Sequence, residues 1–104
     1  NKKGKLFVVV GNQTFSSAIF NTVDFMDNTN ATIIGEKTGG KPNHYGYTKT
    51  FLLPYSGIKV TYSSEFYKLT EGNENTIIPD IIIEQTYQNF KNGVDPIFEY
   101  IKNQ

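Results

Sequence analysis

The fold of this 104-residue chain is decided by residues 5–35, KLFVVVGNQTFSSAIFNTVDFMDNTNATIIG. Residues 5–10 are a short, largely β-branched apolar run, which is typical of a strand covered on both faces in a parallel sheet. Residues 31–35 form a second apolar run of this kind. Between the two runs, apolar residues recur at helical spacing, namely Phe15, Ile19, Val23 and Met26. A strand, a helix and a strand within about 30 residues predict a βαβ unit with a right-handed crossover.

The limits of the predicted helix come from polar residues at both of its ends. Thr14 fits the N-cap position, and the polar run 27–30 is expected to end the helix. Beyond the second strand, residues 38–46 are glycine-rich and polar, which indicates an irregular loop.

The second half of the chain predicts a hairpin, a short strand and a helix. Residues 47–53 and 58–62 read as two strands joined by the turn 54–57. Residues 81–83 predict another strand. Asp95 and Pro96 are then expected to be the N-cap and the first residue of a terminal helix, whose apolar face is formed by Ile97, Tyr100 and Ile101. The fold class is therefore α/β in one unit.

Composition excludes several classes of function. Hydrophobic residues make up 38% and charged residues 19%, which is ordinary for a globular domain. The ten basic and ten acidic residues cancel, so we expect neither nucleic acid nor an anionic membrane as partner. The longest apolar run, Leu6–Val10, is too short to span a bilayer. No cysteine is present, which excludes disulfides and thiolate catalysis.

Ser16 is the first candidate for chemistry, because it follows a buried strand at the start of a helix. Backbone N–H groups at a helix N-terminus lack intrahelical acceptors and carry the positive end of the helix dipole. A hydroxyl attacking a carbonyl there would find an oxyanion donor in the N–H of Ser17. Serine is also favoured at helix starts for capping alone, and capping is the commoner role of a lone serine in the position of Ser16 or Ser17.

Lys41 is the second candidate. It ends the segment GEKTGGK, residues 35–41, directly after the second strand. This segment has the glycine spacing of a phosphate-binding loop, but Pro42 stands where such a loop needs Ser or Thr, and no helix follows. We therefore expect no nucleotide, and no other cofactor or metal is implied. A desolvated lysine can instead act as the base for a serine nucleophile, although a solvated loop lysine is the commoner case.

The βαβ unit brings these two candidates together. Ser16 and Lys41 are 25 residues apart. Because the carboxyl ends of parallel strands meet at one edge of the sheet, the loops carrying them are expected to leave the sheet side by side.

At these residues the sequence resembles the carboxy-terminal-processing, or tail-specific, serine proteases of peptidase family S41. Residues 14–18, TFSSA, are similar to the family's nucleophile segment, and residues 35–41 are similar to its Gly-Glu-x-Thr-x-Gly-Lys segment, whose lysine is the base. Residues 51–57, residues 78–81 and the stretch from Asp95 resemble later parts of the same domain, in the same order.

The resemblance implies a crotonase-like and ClpP-like α/β core, of which residues 1–104 would be the C-terminal half, a single partial domain. It implies a serine endopeptidase that acts on polypeptides with Ser16 as nucleophile and Lys41 as base. It also suggests an extracytoplasmic location, although the chain itself leaves the compartment open. The first half of the catalytic domain and a second oxyanion donor would then lie upstream. We expect the chain alone to be inactive and to self-associate through an exposed sheet edge.

Two positions, Ile19 and Tyr45, depart from the family pattern and leave the third catalytic residue open. The family commonly has a glutamate after its serine segment, where this chain has Ile19. A glutamine often stands four residues after the lysine and orients it, whereas this chain has Tyr45 there, with His44 beside it. His44 could orient Lys41 or replace it as the base, since imidazole titrates in the useful range. A loop histidine with an ordinary hydrogen bond is the commoner case. Tyr45 favours an alternative function, a non-catalytic peptide-binding or structural domain on the same scaffold.

Overall fold

The computed structural model describes residues 4–104. In chain order, its elements are β1 (Phe7–Val10), α1 (Ser17–Asn28), β2 (Thr32–Gly35), β3 (His44–Leu52), β4 (Lys59–Tyr67), β5 (Ile81–Ile82), α2 (Tyr87–Lys91) and α3 (Pro96–Lys102). They form a three-stranded sheet of order β1-β2-β5 and a separate two-stranded sheet of β3 and β4. The predicted α/β class is confirmed.

The predicted βαβ unit is present. Strands β1 and β2 pair in parallel from Phe7 opposite Thr32 to Val10 opposite Gly35. At Gly35, φ is 126°, and a Cβ atom there would collide with the Val10 carbonyl oxygen, so only glycine fits this close approach. The two strands end level with each other. Their following loops therefore leave from the same edge of the sheet.

The core lies between α1 and the parallel sheet. Ile33 and Ile34 of β2 are almost fully buried, as is Ile19 of α1. Thr22, also buried, donates its hydroxyl to the Ala18 carbonyl oxygen at 2.8 Å, so its polar atom is satisfied inside the core. Of the predicted apolar stripe, Ile19 and Val23 are buried. Phe15 precedes the helix, however, and Met26 lies at its exposed end.

The prediction that β1 is covered on both faces is wrong within the described residues. Val10 is buried, but Val9 is 54% exposed. Alternate residues of a strand point to opposite faces, and α1 packs against β1 and β2. The side of β1 that carries Val9 is thus open.

The hairpin is longer than predicted. Strands β3 and β4 are antiparallel, and their pairing runs from Leu52 opposite Lys59 back to His44 opposite Tyr67. The turn between them is closed by the N–H of Leu53, which donates to the Ile58 carbonyl oxygen at 2.9 Å. Residues 65–67 belong to β4 and pair with residues 44–46, so β3 begins inside the loop predicted over residues 38–46. His44 and Tyr45 are therefore strand residues that point to opposite faces.

The late elements attach to the sheet through β5. This short strand pairs in parallel with β2, and the Asp80 carboxylate accepts the Ile33 N–H at 2.8 Å. Asp95 is the N-cap of α3, as predicted, and its carboxylate accepts the N–H groups of Ile97 and Phe98. Helix α2 was not predicted, since five residues are too few to show a helical apolar period.

Candidate active site

Ser16 has a strained backbone at the turn between β1 and α1. Its φ and ψ angles are 53° and −119°, and it is the N-cap of α1 without a capping hydrogen bond from its side chain. A positive φ is uncommon for a residue with a side chain and costs free energy, about 1–3 kcal/mol. The hydroxyl is thus presented at the surface and is not used to cap the helix.

Thr14 has a different role from the predicted one, and that role explains the geometry of the turn. Its hydroxyl oxygen accepts the Gly11 N–H at 2.9 Å, and its own N–H donates to the Gly11 carbonyl oxygen at 2.8 Å. Because these bonds close a tight turn directly after β1, the chain reaches Ser16 before the helix begins. The N-cap is therefore Ser16, two residues later than predicted.

Ser17 is the first residue of α1 and lies at its positive end. Its N–H has no acceptor within the helix, as for every residue at this position. The next two N–H groups are used locally, since Ala18 donates to the Phe15 carbonyl oxygen at 3.1 Å and Ile19 donates to that of Ser16 at 2.9 Å. The Ser17 N–H is therefore available to donate a hydrogen bond to an anion next to Ser16.

The glycine loop before Lys41 packs against the serine turn. The N–H of Gly40 donates to the Thr14 carbonyl oxygen at 3.0 Å. A Cβ atom at Gly40 would lie 2.9 Å from Cγ1 of Ile19 and 3.2 Å from Cα of Phe15. The main chain leading to Lys41 is thus held beside Ser16, as the topology predicts. The Lys41 residue itself is exposed.

Thr38 anchors this loop from inside the protein. Its side chain is buried, and its hydroxyl donates to the Gly40 carbonyl oxygen at 2.8 Å and accepts the Ile77 N–H at 2.8 Å. Thr76 adds a hydrogen bond from its own hydroxyl to the Thr38 carbonyl oxygen at 2.8 Å. The position of the lysine loop therefore depends on the segment 76–77, more than 30 residues downstream.

His44 has a defined orientation. Its Nδ1 lies 3.0 Å from the Lys41 carbonyl oxygen and 3.2 Å from that of Pro42. Carbonyl oxygens only accept hydrogen bonds, so Nδ1 carries the proton in the neutral ring and Nε2 is left as the acceptor. This is the tautomer that a general base uses.

The imidazole of His44 belongs to a cluster of rings. The Phe20 ring of α1 meets it edge to face at 5.6 Å, and the Tyr67 ring of β4 is 5.9 Å away. Phe20 and Tyr67 also contact each other at 4.9 Å. Helix α1 and the hairpin therefore meet through these three rings.

An open groove of about 350 Å³ runs past these residues. Its wall is formed by Ser16, Ser17, Phe20, Asn21, His44, Gly46, Tyr47 and Tyr67. The structure thus brings Ser16, Ser17 and His44 together. Lys41 and Tyr45 do not form part of this wall, and the Tyr45 ring packs at 4.9 Å against Phe66, its partner in the ladder.

Tyr67 carries the one electrostatic perturbation resolved at this groove. Its hydroxyl donates to the Glu65 carboxylate at 3.1 Å. That hydrogen bond, followed by burial and by the charges of Glu65 and Tyr47, raises the pKa of the Tyr67 phenol above its usual value. The phenol thus stays protonated throughout the physiological range.

Residues 4–104 contain no group of three or more histidine, aspartate or glutamate side chains placed to hold a metal ion. Within the same residues, no helix combines the length and apolar character needed to cross a membrane.

Comparison with known proteins identifies relatives. The sequence model of peptidase family S41 matches residues 1–83. A candidate peptidase from Parabacteroides merdae superposes on 97% of this chain and 31% of its own length, with a TM-score of 0.69 and 22% identity. Mature CPAF superposes on 92% of this chain and 18% of its own, with a TM-score of 0.65 and 23% identity. For CPAF complexed with lactacystin the shares are 93% and 19%, the TM-score is 0.63 and the identity is 21%. A search of curated proteins returned no match.

These likenesses bear on the fold and on the extent of the chain. The solved structures share the architecture described above, so the predicted fold class is confirmed as that of S41-type peptidase domains. The chain spans about a third of the first solved structure and about a fifth of CPAF.

Proposed function

The chain belongs to peptidase family S41, and we propose that it contributes the nucleophile of a serine endopeptidase that cleaves polypeptides by acyl transfer. One observation carries this proposal. Ser16 is held with φ at 53° between a strand and a helix, with its hydroxyl unused for capping. A strained strand-to-helix turn that presents a serine at the start of a helix is the geometry of a nucleophile elbow.

The proposed reaction takes place at Ser16, which lines the groove. The Ser16 hydroxyl attacks the scissile carbonyl while a base takes its proton. The developing oxyanion accepts the Ser17 N–H at the positive end of α1. The base then returns the proton to the leaving amine, and water hydrolyses the acyl-enzyme in a second, equivalent step.

Lys41 is the base in this proposal. Its main chain is held beside the serine turn by the bond from Gly40 to Thr14. A lysine acts as a base only where desolvation or neighbouring charge lowers its pKa. Since Lys41 is exposed within residues 4–104, the proposal requires that the remainder of the catalytic domain covers it.

His44 is the alternative base. It shares the groove with Ser16, and the contacts of its Nδ1 with carbonyl oxygens make Nε2 the acceptor of the neutral ring. Three variants of the full-length protein separate the two candidates, namely Lys41→Ala, His44→Gln and, as control, Lys37→Ala, which changes an exposed lysine of the same loop. Loss of turnover in Lys41→Ala alone supports the Ser–Lys pair. If Lys41→Ala retains turnover and His44→Gln loses it, the general base is His44 and not Lys41.

Tyr45 supports a second candidate function, that of a non-catalytic peptide-binding domain. It stands at the family's glutamine position, yet it packs against Phe66 and not along the groove. Without an orienting residue, the scaffold would hold peptides without cleaving them. A fluorophosphonate probe distinguishes the two functions in the full-length protein. Reaction at Ser16 supports catalysis, and an unreactive Ser16 supports peptide binding alone.

Residues 1–104 are, in this proposal, the C-terminal portion of the catalytic domain. The support is that the chain spans only 31% of the first solved structure and 18% of mature CPAF. A second donor to the oxyanion would then come from outside these residues. We expect the isolated chain to show no hydrolysis, and the experiments above accordingly use the full-length protein.

A further inference from the structure

The groove beside Ser16 has features of a binding pocket beyond those that the proposed chemistry needs. Its walls come from α1 and from both strands of the hairpin, with Phe20 on α1 and Tyr67 on β4 in ring contact at 4.9 Å. No lysine, arginine, aspartate or glutamate is among the residues that line it. At about 350 Å³, its volume is at the lower end of the range for small-ligand sites.

Gly46 leaves room for the groove because it has no side chain. A Cβ atom at this position would lie 2.7 Å from Cε2 of Tyr67. This is closer than carbon atoms approach without displacement, so Tyr67 can lie across β3 only because residue 46 is glycine. Any larger residue there would push the Tyr67 ring out of its place.

A backbone distortion at Tyr47 shapes the same wall. In a regular strand, Tyr47 would point away from the face that carries His44 and Gly46. Its φ angle is 46°, however, which is strained for an aromatic residue. The Ser64 hydroxyl donates to the Tyr47 carbonyl oxygen at 2.6 Å and holds the distorted segment. As a result, Tyr47 lines the groove together with His44 and Gly46.

We propose that this groove is the specificity pocket for the substrate side chain next to the scissile bond, and that it selects an aromatic side chain. The proposal rests on the proposed function, because continuity with Ser16 identifies the occupant as part of the substrate. Four of the eight residues in the wall carry aromatic rings, and none is lysine, arginine, aspartate or glutamate, which favours aromatic over charged side chains. An acidic side chain is further disfavoured by the Glu65 carboxylate at the Tyr67 hydroxyl.

The first test compares hydrolysis of matched peptides by the full-length protein. The peptides differ only at the residues flanking the cleaved bond, with Phe, Ala, Lys or Glu on one side or the other. We expect kcat/KM for the Phe peptide to exceed that for the Ala peptide by about tenfold or more on one side of the bond. A preference for Lys or Glu, or equal rates for all four, would overturn the proposal.

Variants then assign this preference to the groove. Tyr67→Leu and Gly46→Ala are expected to lower kcat/KM for the Phe peptide about tenfold more than kcat/KM for the Ala peptide. Phe66→Leu is the matched control, since Phe66 neighbours Tyr67 on β4 but packs on the opposite face with Tyr45. Equal losses for both peptides would reveal a structural effect only and would contradict the proposal.

Binding separates failure of the pocket from failure of the function. Fluorescence polarisation measures the affinity of labelled Phe and Ala peptides for the Ser16→Ala protein, which needs no catalysis. Tighter binding of the Phe peptide that is lost in Ser16→Ala/Tyr67→Leu supports the pocket even if the wild type hydrolyses nothing. Hydrolysis by the wild type with no Phe preference in either measurement overturns the pocket and leaves the function standing.

Discussion

The N–H of Gly40 donates to the carbonyl oxygen of Thr14 at 3.0 Å, and this bond joins the lysine loop to the serine turn. The two segments are separated in sequence by all of α1 and β2. Their contact fixes the start of α1, and hence Ser16, relative to the loop that carries Lys41. The first two predictions concern this junction.

Gly40→Ala should lower both stability and turnover. The added Cβ would lie 2.9 Å from Cγ1 of Ile19 and 3.2 Å from Cα of Phe15, and overpacking of this kind costs about 1–3 kcal/mol. Because the displaced atoms belong to the start of α1, kcat should fall more than KM rises. Gly11→Ala is the control, since a Cβ there meets nothing within 4 Å. Equal unfolding midpoints for the two variants in urea would show that the loop is not packed as described.

Ser16→Gly should raise stability while abolishing turnover. Glycine adopts a φ of 53° without strain, and the relief is expected to outweigh its entropic cost by about 1 kcal/mol. Ser17→Gly is the matched control, because Ser17 has a helical backbone, and there glycine destabilises by up to about 1 kcal/mol. Chemical denaturation of both variants gives the comparison. A Ser16→Gly protein that is destabilised as much as Ser17→Gly would contradict the strained turn.

Asn43 should be a large contributor to the stability of the loop that follows β4. Its side-chain oxygen accepts the N–H groups of Leu69 and Thr70 at 2.7 and 3.0 Å, and its amide donates to the carbonyl oxygens of Thr70 and Gly72 at 3.0 and 2.7 Å. Asn43→Ala removes all four bonds and should cost about 2–4 kcal/mol. Asn73→Ala, at an exposed position of the same loop, should cost less than about 0.5 kcal/mol. Similar free energies of unfolding for the two variants would count against this role.

Thr38→Val tests the buried anchor of the lysine loop. Valine preserves the shape of threonine but leaves the Ile77 N–H without the acceptor that it has at 2.8 Å. The expected cost is about 1–3 kcal/mol. Thr38→Ser keeps the hydroxyl and should lose less. If thermal unfolding shows that Thr38→Val is as stable as the wild type, the hydrogen bonds of Thr38 do not anchor the loop.

Self-association of the isolated chain is expected from β1. This strand lies at one end of the β1-β2-β5 order, and Val9 is 54% exposed on its open side. A terminal strand that also exposes an apolar side chain on its face invites pairing between chains. Light scattering over a range of concentrations should show oligomers that Val9→Lys reduces. A monomer at high concentration would contradict this prediction.

Much of the fold is predictable from local sequence because its signals are local. The apolar runs of β1 and β2 and the helical period of Ile19 and Val23 predict the βαβ unit, and Asp95 with Pro96 predicts the start of α3. Other features depend on distant pairing. The bond from Gly40 to Thr14 holds the lysine loop beside the serine turn, and the pairing of His44 with Tyr67 turns a predicted loop into strand.

The same distinction applies to the site. Ser16, Ser17 and His44 could be proposed from residue type, spacing and family resemblance. The walls of the groove could not, since Phe20 and Tyr67 are 47 residues apart in sequence and meet only through the register of the hairpin. The glycine at position 46 was a signal available in the sequence, but its meaning depends on the ring that crosses it.

Trapping the acyl-enzyme tests the central claim most directly. The full-length protein is mixed with a peptide ester, quenched in acid within milliseconds, digested and analysed by mass spectrometry. The account predicts an acyl adduct on Ser16 in the wild type, and neither adduct nor turnover in Ser16→Ala. Turnover that persists in Ser16→Ala, or an adduct on a different residue, would contradict it.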